Sequence, residues 1–154
     1  MEIKDFLVPA DVIVGLRVPD KARLLRELAE RAAASLKLDA DRIANAVLSR
    51  EELGSTGMGG GIAIPHARLA ELKLPFGILA CTKRPIAFDA VDGAPVDVIF
   101  MLLLPADPDP EHLHALASVA RAMRDSKIAR TLRGARDGAQ AYQCLVGAQS
   151  LAPK

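Results

Sequence analysis

The stretch VDVIFMLLL at 96–104 sets the strongest limit on the fold. Only Asp97 interrupts it, so a strand here carries apolar side chains on both faces. Such a strand is central in its sheet and covered on each side. Its uninterrupted part, Val98 to Leu104, is far short of the ~20 residues a membrane helix needs.

The flanking segments supply the cover. Residues 12–18 (VIVGLRV) and 76–82 (FGILACT) read as further strands, and Asp92-Gly93 marks a turn. Asp20 is a candidate N-cap for a helix with Leu24, Leu25, Leu28, Ala29, Ala32 and Leu36 on its apolar face. A second helix starts at Asp39, buries Ile43, Ala46, Val47 and Leu53, and stops at Gly54, which puts Arg50 in its last turns. Gly61 to Pro65 reads as a loop feeding a short strand that Pro65 ends or holds at an edge. Asp109 with Pro110 opens a third helix, with Leu113, Leu116, Ala117, Ala120 and Met123 as its stripe. Helices over about Ser126–Leu132 and Asp137–Val146 follow, and residues 147–154 form a frayed tail. The order is strand, two helices, three strands, three helices. It specifies one α/β domain with a mixed sheet covered by helices, and the 154 residues leave little room for a second domain.

Composition removes several function classes. Twenty Lys and Arg against 19 Asp and Glu give a net charge of +1, which argues against nucleic-acid binding through bulk charge. Aromatics make up 3%, too few for stacking platforms. Cys81 and Cys144 sit in apolar runs with no metal-ligand spacing, as expected of a cytoplasmic protein with reduced thiols. The N-terminus has acidic residues where a signal peptide has basic ones, so neither a leader nor membrane insertion is expected.

Chemistry concentrates in SREELGSTGMGGGIAIPHAR, residues 49–68. Five of the eleven glycines (Gly54, Gly57, Gly59, Gly60 and Gly61) fall here. Their amides can form an anion nest to which Ser55 and Thr56 add hydroxyls, or the segment is a plain flexible loop. It is no nucleotide-binding loop, because no Lys follows the glycines. His66 follows Pro65 and is bracketed by Arg50 and Arg68. A neutral imidazole is nucleophilic near pH 7, so an anion site beside it points to a phosphohistidine, against a structural histidine. His112 and His114 open the third helix, but residues two apart do not share a face. That spacing also makes a three-histidine zinc site a poor alternative.

REELGSTGMGGGIAIPHA, with PIAFDAVDGAPVDVIFMLLLPAD at 85–107 and HLHALASVA at 112–120, resembles the enzyme IIA of the fructose/mannitol class of the phosphoenolpyruvate:sugar phosphotransferase system. The likeness spans roughly residues 5–146 and is nearest the stand-alone nitrogen-regulatory members. Gly60 stands where those members often carry a polar residue, and Ala67 where glycine is common. The resemblance implies a three-layer α/β/α sandwich. It implies that His66 carries phosphate on Nε2, that Arg50 neutralises phosphoryl charge and that His112, above His114, neighbours the phosphohistidine. It implies an HPr-like phosphocarrier as donor, and a IIB domain or a regulated kinase or channel as downstream partner. A sugar-specific IIA and a regulatory module acting without phosphorylation are the alternatives. No metal or other cofactor is required, since the acceptor is an imidazole and cationic groups are in place. Docking is expected on an apolar patch around His66, with Met58, Ile62 and Leu69 as candidates.

Overall fold

Six strands and five helices occur among the residues that the computed structural model describes, 1–107 and 109–151. Two 3-10 turns, Ile3–Asp5 and Pro9–Asp11, precede β1, Val12–Leu16. Helices α1, Lys21–Leu36, and α2, Ala40–Glu52, follow. Then come β2, Gly57–Gly59, β3, Ile62–Ala63, β4, His66–Leu69, β5, Phe76–Ile86, and β6, Val96–Pro105. Helices α3, Pro110–Arg124, α4, Ser126–Arg133, and α5, Gly138–Leu151, close the chain.

The expected caps form. The Asp20 carboxylate accepts from the Arg23 amide at 2.8 Å, that of Asp39 from Asp41 at 3.2 Å, and that of Asp109 from Glu111 at 3.0 Å. Each satisfies an N–H that the helix cannot use internally. The last helix runs on through Leu151, past the start of the expected tail, because Gly147 does not interrupt it. The end of that tail, residues 152–154, lies outside the described residues.

The sheet order is β1-β5-β6-β3-β2, with β4 also on β6. β1 and β5 are parallel, β5 and β6 antiparallel, and β3 and β4 both run parallel to β6. β6 is central and alternates as its composition requires. Ile99, Met101 and Leu103 pack under α1 and α2, while Val98, Phe100, Leu102 and Leu104 pack under α3, α4 and α5. The result is a mixed sheet between two helical layers.

Three details depart from the sequence reading. The first of the three middle strands is broken: β3 and β4 lie in line on β6, and Pro65, which has no N–H to give, sits at the break. Its carbonyl still accepts from Leu102 at 2.9 Å, so the ladder continues and His66 opens a strand. A further short strand, β2, lies inside the glycine cluster and pairs antiparallel with β3. The buried faces of two helices are also shifted. Glu51 is buried at the end of α2 while Leu53 is 85% exposed. On α3 the buried set is His112, Ala115, Val119, Ala122 and Met123, with Leu113 57% exposed and Ala117 also outside.

Candidate functional site

His66 is held by the break in its strand. Its Nδ1 lies 2.8 Å from the carbonyl oxygen of Ile64, two residues back. A carbonyl only accepts, so Nδ1 carries the proton and Nε2 keeps its lone pair. Pro65 fixes the turn between the two residues. Half-burial lowers the imidazole below its ordinary pKa of about 6.5. The Ile64 hydrogen bond opposes this, the Arg50 charge adds to it, Glu51 opposes it, and Arg68 adds to it, in that order of size. The ring is therefore neutral and nucleophilic at neutral pH.

A cleft of about 500 Å³ opens beside the ring. Arg42, Ser49 and Arg50 of α2 form one wall, His66 and Arg68 of β4 the floor, and Leu116 of α3 another edge. The Arg50 Nη1 donates to the Gly54 carbonyl at 2.9 Å, and the Arg68 Nη1 to the Pro105 carbonyl at 3.2 Å. A neutral carbonyl holds each guanidinium in place without cancelling its charge. Arg42 instead pairs with Glu71 at 3.3 Å. Two guanidiniums with no carboxylate in ion-pair distance among the described residues thus line one cleft with the imidazole, an arrangement that attracts an anion and stabilises charge on it.

His112 is buried in the first turn of α3, with Nδ1 3.4 Å from the Asp107 carbonyl. It stands one helical turn before Leu116, on the side of α3 that meets the cleft, but it does not itself line the cavity. His114 is exposed. Among the described residues no three His, Cys, Asp or Glu side chains come together to hold a metal.

The glycine segment is placed differently from the expected phosphate cradle. Several of its polar groups are engaged within the protein. The Ser55 hydroxyl donates to the Phe88 carbonyl at 2.8 Å and accepts from the Gly57 amide at 3.1 Å. The Thr56 amide and hydroxyl both donate to the Glu51 carboxylate. The Gly60 amide donates to Asp92 at 3.0 Å, and the Gly60 carbonyl accepts from Arg133 at 2.6 Å. Gly54, Ser55, Thr56, Gly57, Gly59, Gly60 and Gly61 do not line the cleft. Positive φ at Gly59, Gly60 and Gly61 instead makes the tight β2–β3 hairpin possible. At Gly57 a Cβ would come within 2.7 Å of the Ala90 Cβ, so the bare backbone permits close packing.

Sequence reasoning missed Glu51, which is buried and ion-paired to Lys21 at 3.1 Å. Lys21 also donates to the Phe88 carbonyl at 3.2 Å and lies 4.4 Å from the centre of the Phe88 ring. One helical turn from Val47 is the only signal for Glu51's burial, and an acid at that position reads as solvated. The docking candidates are corrected too. Ile62 and Leu69 are core residues and Met58 is half-buried; Leu53 and Leu113 are exposed instead. The Cys81 thiol is buried and pushed up to about 11, so it is unreactive.

Known proteins show the same plan. A family model described as "Phosphoenolpyruvate-dependent sugar phosphotransferase system, EIIA 2" matches residues 5–147. A nitrogen regulatory protein of Bradyrhizobium diazoefficiens is 41% identical over 145 residues, covering 94% of this chain and 95% of that one. One from Escherichia coli is 45% identical over 126 residues, covering 81% and 77%. The crystal structure of the nitrogen regulatory protein IIA-Ntr of Neisseria meningitidis superimposes with a TM-score of 0.88 at 33% identity, covering 93% of this chain and 98% of that one. The match to the family model runs nearly end to end, and the chain belongs to the EIIA 2 family of the phosphoenolpyruvate-dependent sugar phosphotransferase system.

Proposed function

We propose that the chain is a cytoplasmic phosphoryl carrier that accepts a phosphoryl group on Nε2 of His66 from an HPr-like phosphocarrier and acts in nitrogen-linked regulation. The observation that carries the reading is the His66–Ile64 hydrogen bond, which leaves Nε2 as the free nucleophile beside Arg50 and Arg68. The family match supports phosphotransfer, and the names of relatives at 41% and 45% identity support the regulatory role. In the described residues no helix is long and apolar enough to cross a membrane.

The step is an in-line exchange. The Nε2 lone pair forms the new N–P bond as the donor's N–P bond breaks, and that electron pair returns to the donor's ring. His66 keeps its Nδ1 proton, bound to Ile64, throughout. Arg50 and Arg68 meet the charge on the equatorial oxygens, and His112 backs the cleft from α3, one turn before Leu116. The glycine segment acts indirectly: its Gly54 carbonyl holds Arg50 and its hairpin pairing holds β3. Positioning and charge are what phosphoryl transfer chiefly asks of a protein.

The test is incubation with phosphoenolpyruvate, enzyme I and an HPr-like carrier, followed by intact mass. One acid-labile phosphoryl group is expected on the wild type and none on His66→Ala. Equal labelling of the variant would refute the assignment. Onward transfer to a sugar-transport IIB domain would replace the regulatory role with a sugar-specific one.

A further inference from the structure

A second basic site lies toward the opposite end of the sheet. β1 and β5 are parallel, with Val14 opposite Cys81 and Leu16 opposite Thr82, so Gly15 is an extra residue in β1. Its φ of +76° makes it a glycine bulge, and nothing crowds the position. After the bulge, Arg17 comes alongside Lys83 and Arg84, and Pro19 turns the chain into α1. Together these residues and Val18 line an open pocket of about 380 Å³. That volume falls within the range of small-molecule sites.

The charge here is uncompensated. On α1 and α2, Lys21, Arg23, Arg26, Arg31 and Arg42 pair with carboxylates, whereas Arg50 and Arg68 at the phosphoryl cleft bond to carbonyls. Among the described residues, no carboxylate lies within ion-pair distance of Arg17, Lys83 or Arg84, and all three are exposed. Three like charges gathered on a chain of net charge +1 repel one another, and a multivalent anion removes that cost. Val18 and Pro19 add an apolar wall that inorganic phosphate would leave unused. The site is separate from the phosphoryl cleft. The His66 row crosses β5 at Gly77, through Leu102 of β6, and Lys83 lies six residues farther along, roughly 20 Å away.

We infer that the Arg17–Pro19 and Lys83–Arg84 pocket binds an organic phosphate with at least two negative charges and an apolar body, independently of His66 phosphorylation. ADP without magnesium serves as the probe, followed by amide NMR shifts and calorimetry on the full chain. Saturable shifts are expected at residues 15–19 and 82–85. Arg17→Ala combined with Lys83→Ala should weaken ADP binding at this pocket about tenfold or more, while Arg50→Ala leaves the ADP-induced shifts at residues 15–19 and 82–85 unchanged. Inorganic pyrophosphate should bind several-fold more weakly than ADP, and an acidic peptide should leave these shifts unmoved. Absence of shifts at residues 15–19 and 82–85, loss of those shifts in Arg50→Ala, or pyrophosphate or the peptide binding there as well as ADP would each overturn the inference. The substituted side chains are exposed, and an unchanged melting transition separates lost binding from lost structure.

Discussion

At His66 three neighbours set one proton. Burial and the two arginines favour the neutral ring, and the Ile64 carbonyl decides which nitrogen stays protonated. The folded imidazole should titrate below its unfolded value of about 6.5, read by NMR of the ring protons. The sign for stability follows. As pH falls through about 6.5 the unfolded chain takes up the proton first, so this contribution is complete above that value and is lost toward the lower folded pKa. A His66→Gln variant should show less of this acid sensitivity; a larger loss would contradict it. Arg50→Ala should slow phosphoryl transfer about tenfold or more while the fold persists, because its side chain reaches the cleft and, among the described residues, bonds only to the Gly54 carbonyl. His66 stood out beside the glycines and between Arg50 and Arg68, while the part assigned to Arg50 came from the family resemblance and not from its spacing. Arg68 was noticed only as a flanking charge, since its place in the cleft depends on how β4 runs along β6.

Among the elements, the glycine hairpin changes most between sequence and structure. Glycines carry no side-chain alternation, so β2 could not be read from pattern, and density of glycine suggested an open anion nest. Tertiary contacts take up several of those groups, the Thr56 and Gly60 amides among them. Gly57→Ala should destabilise the fold by about 1–3 kcal/mol, since the new methyl meets Ala90 backbone and side chain and neither can swing away. Denaturant unfolding measures it; an unchanged midpoint would mean the hairpin is free to move. The hairpin's second anchor is the Lys21–Glu51–Thr56 cluster joining α1 and α2 to the loop. Lys21→Ala leaves Glu51 buried and unpaired and should cost about 3 kcal/mol. Glu51→Gln should cost less, because an amide oxygen still accepts from Thr56. The reverse order would show that Thr56, not Lys21, is Glu51's main partner. The α3 stripe was misread by about one position: Leu113 looked like core, yet burial of His112 turns the helix so that Leu113 faces out.

On the scale of the molecule, β6 made the layered architecture legible, because a strand apolar on both faces admits no other arrangement. The relation of the site to that architecture was less legible, since it depends on β4 joining β6 in parallel beside β5. The same rigidity bears on signalling. His66 stands on a strand backed by a core filled on both faces, so the proposed phosphorylation would have little freedom to rearrange the sheet. What it would change is charge. A phosphoryl group brings about −1.5 to −2, which turns a net +1 slightly negative and cancels the field of Arg50 and Arg68 at the cleft. The phosphorylated state should therefore differ electrostatically and not conformationally. Amide exchange of β5 and β6 should match between the two forms, NMR shifts should concentrate at the cleft, and the difference in partner affinity should shrink as salt rises. Altered protection across β5 and β6, or a salt-independent difference, would show that the signal passes through the fold after all.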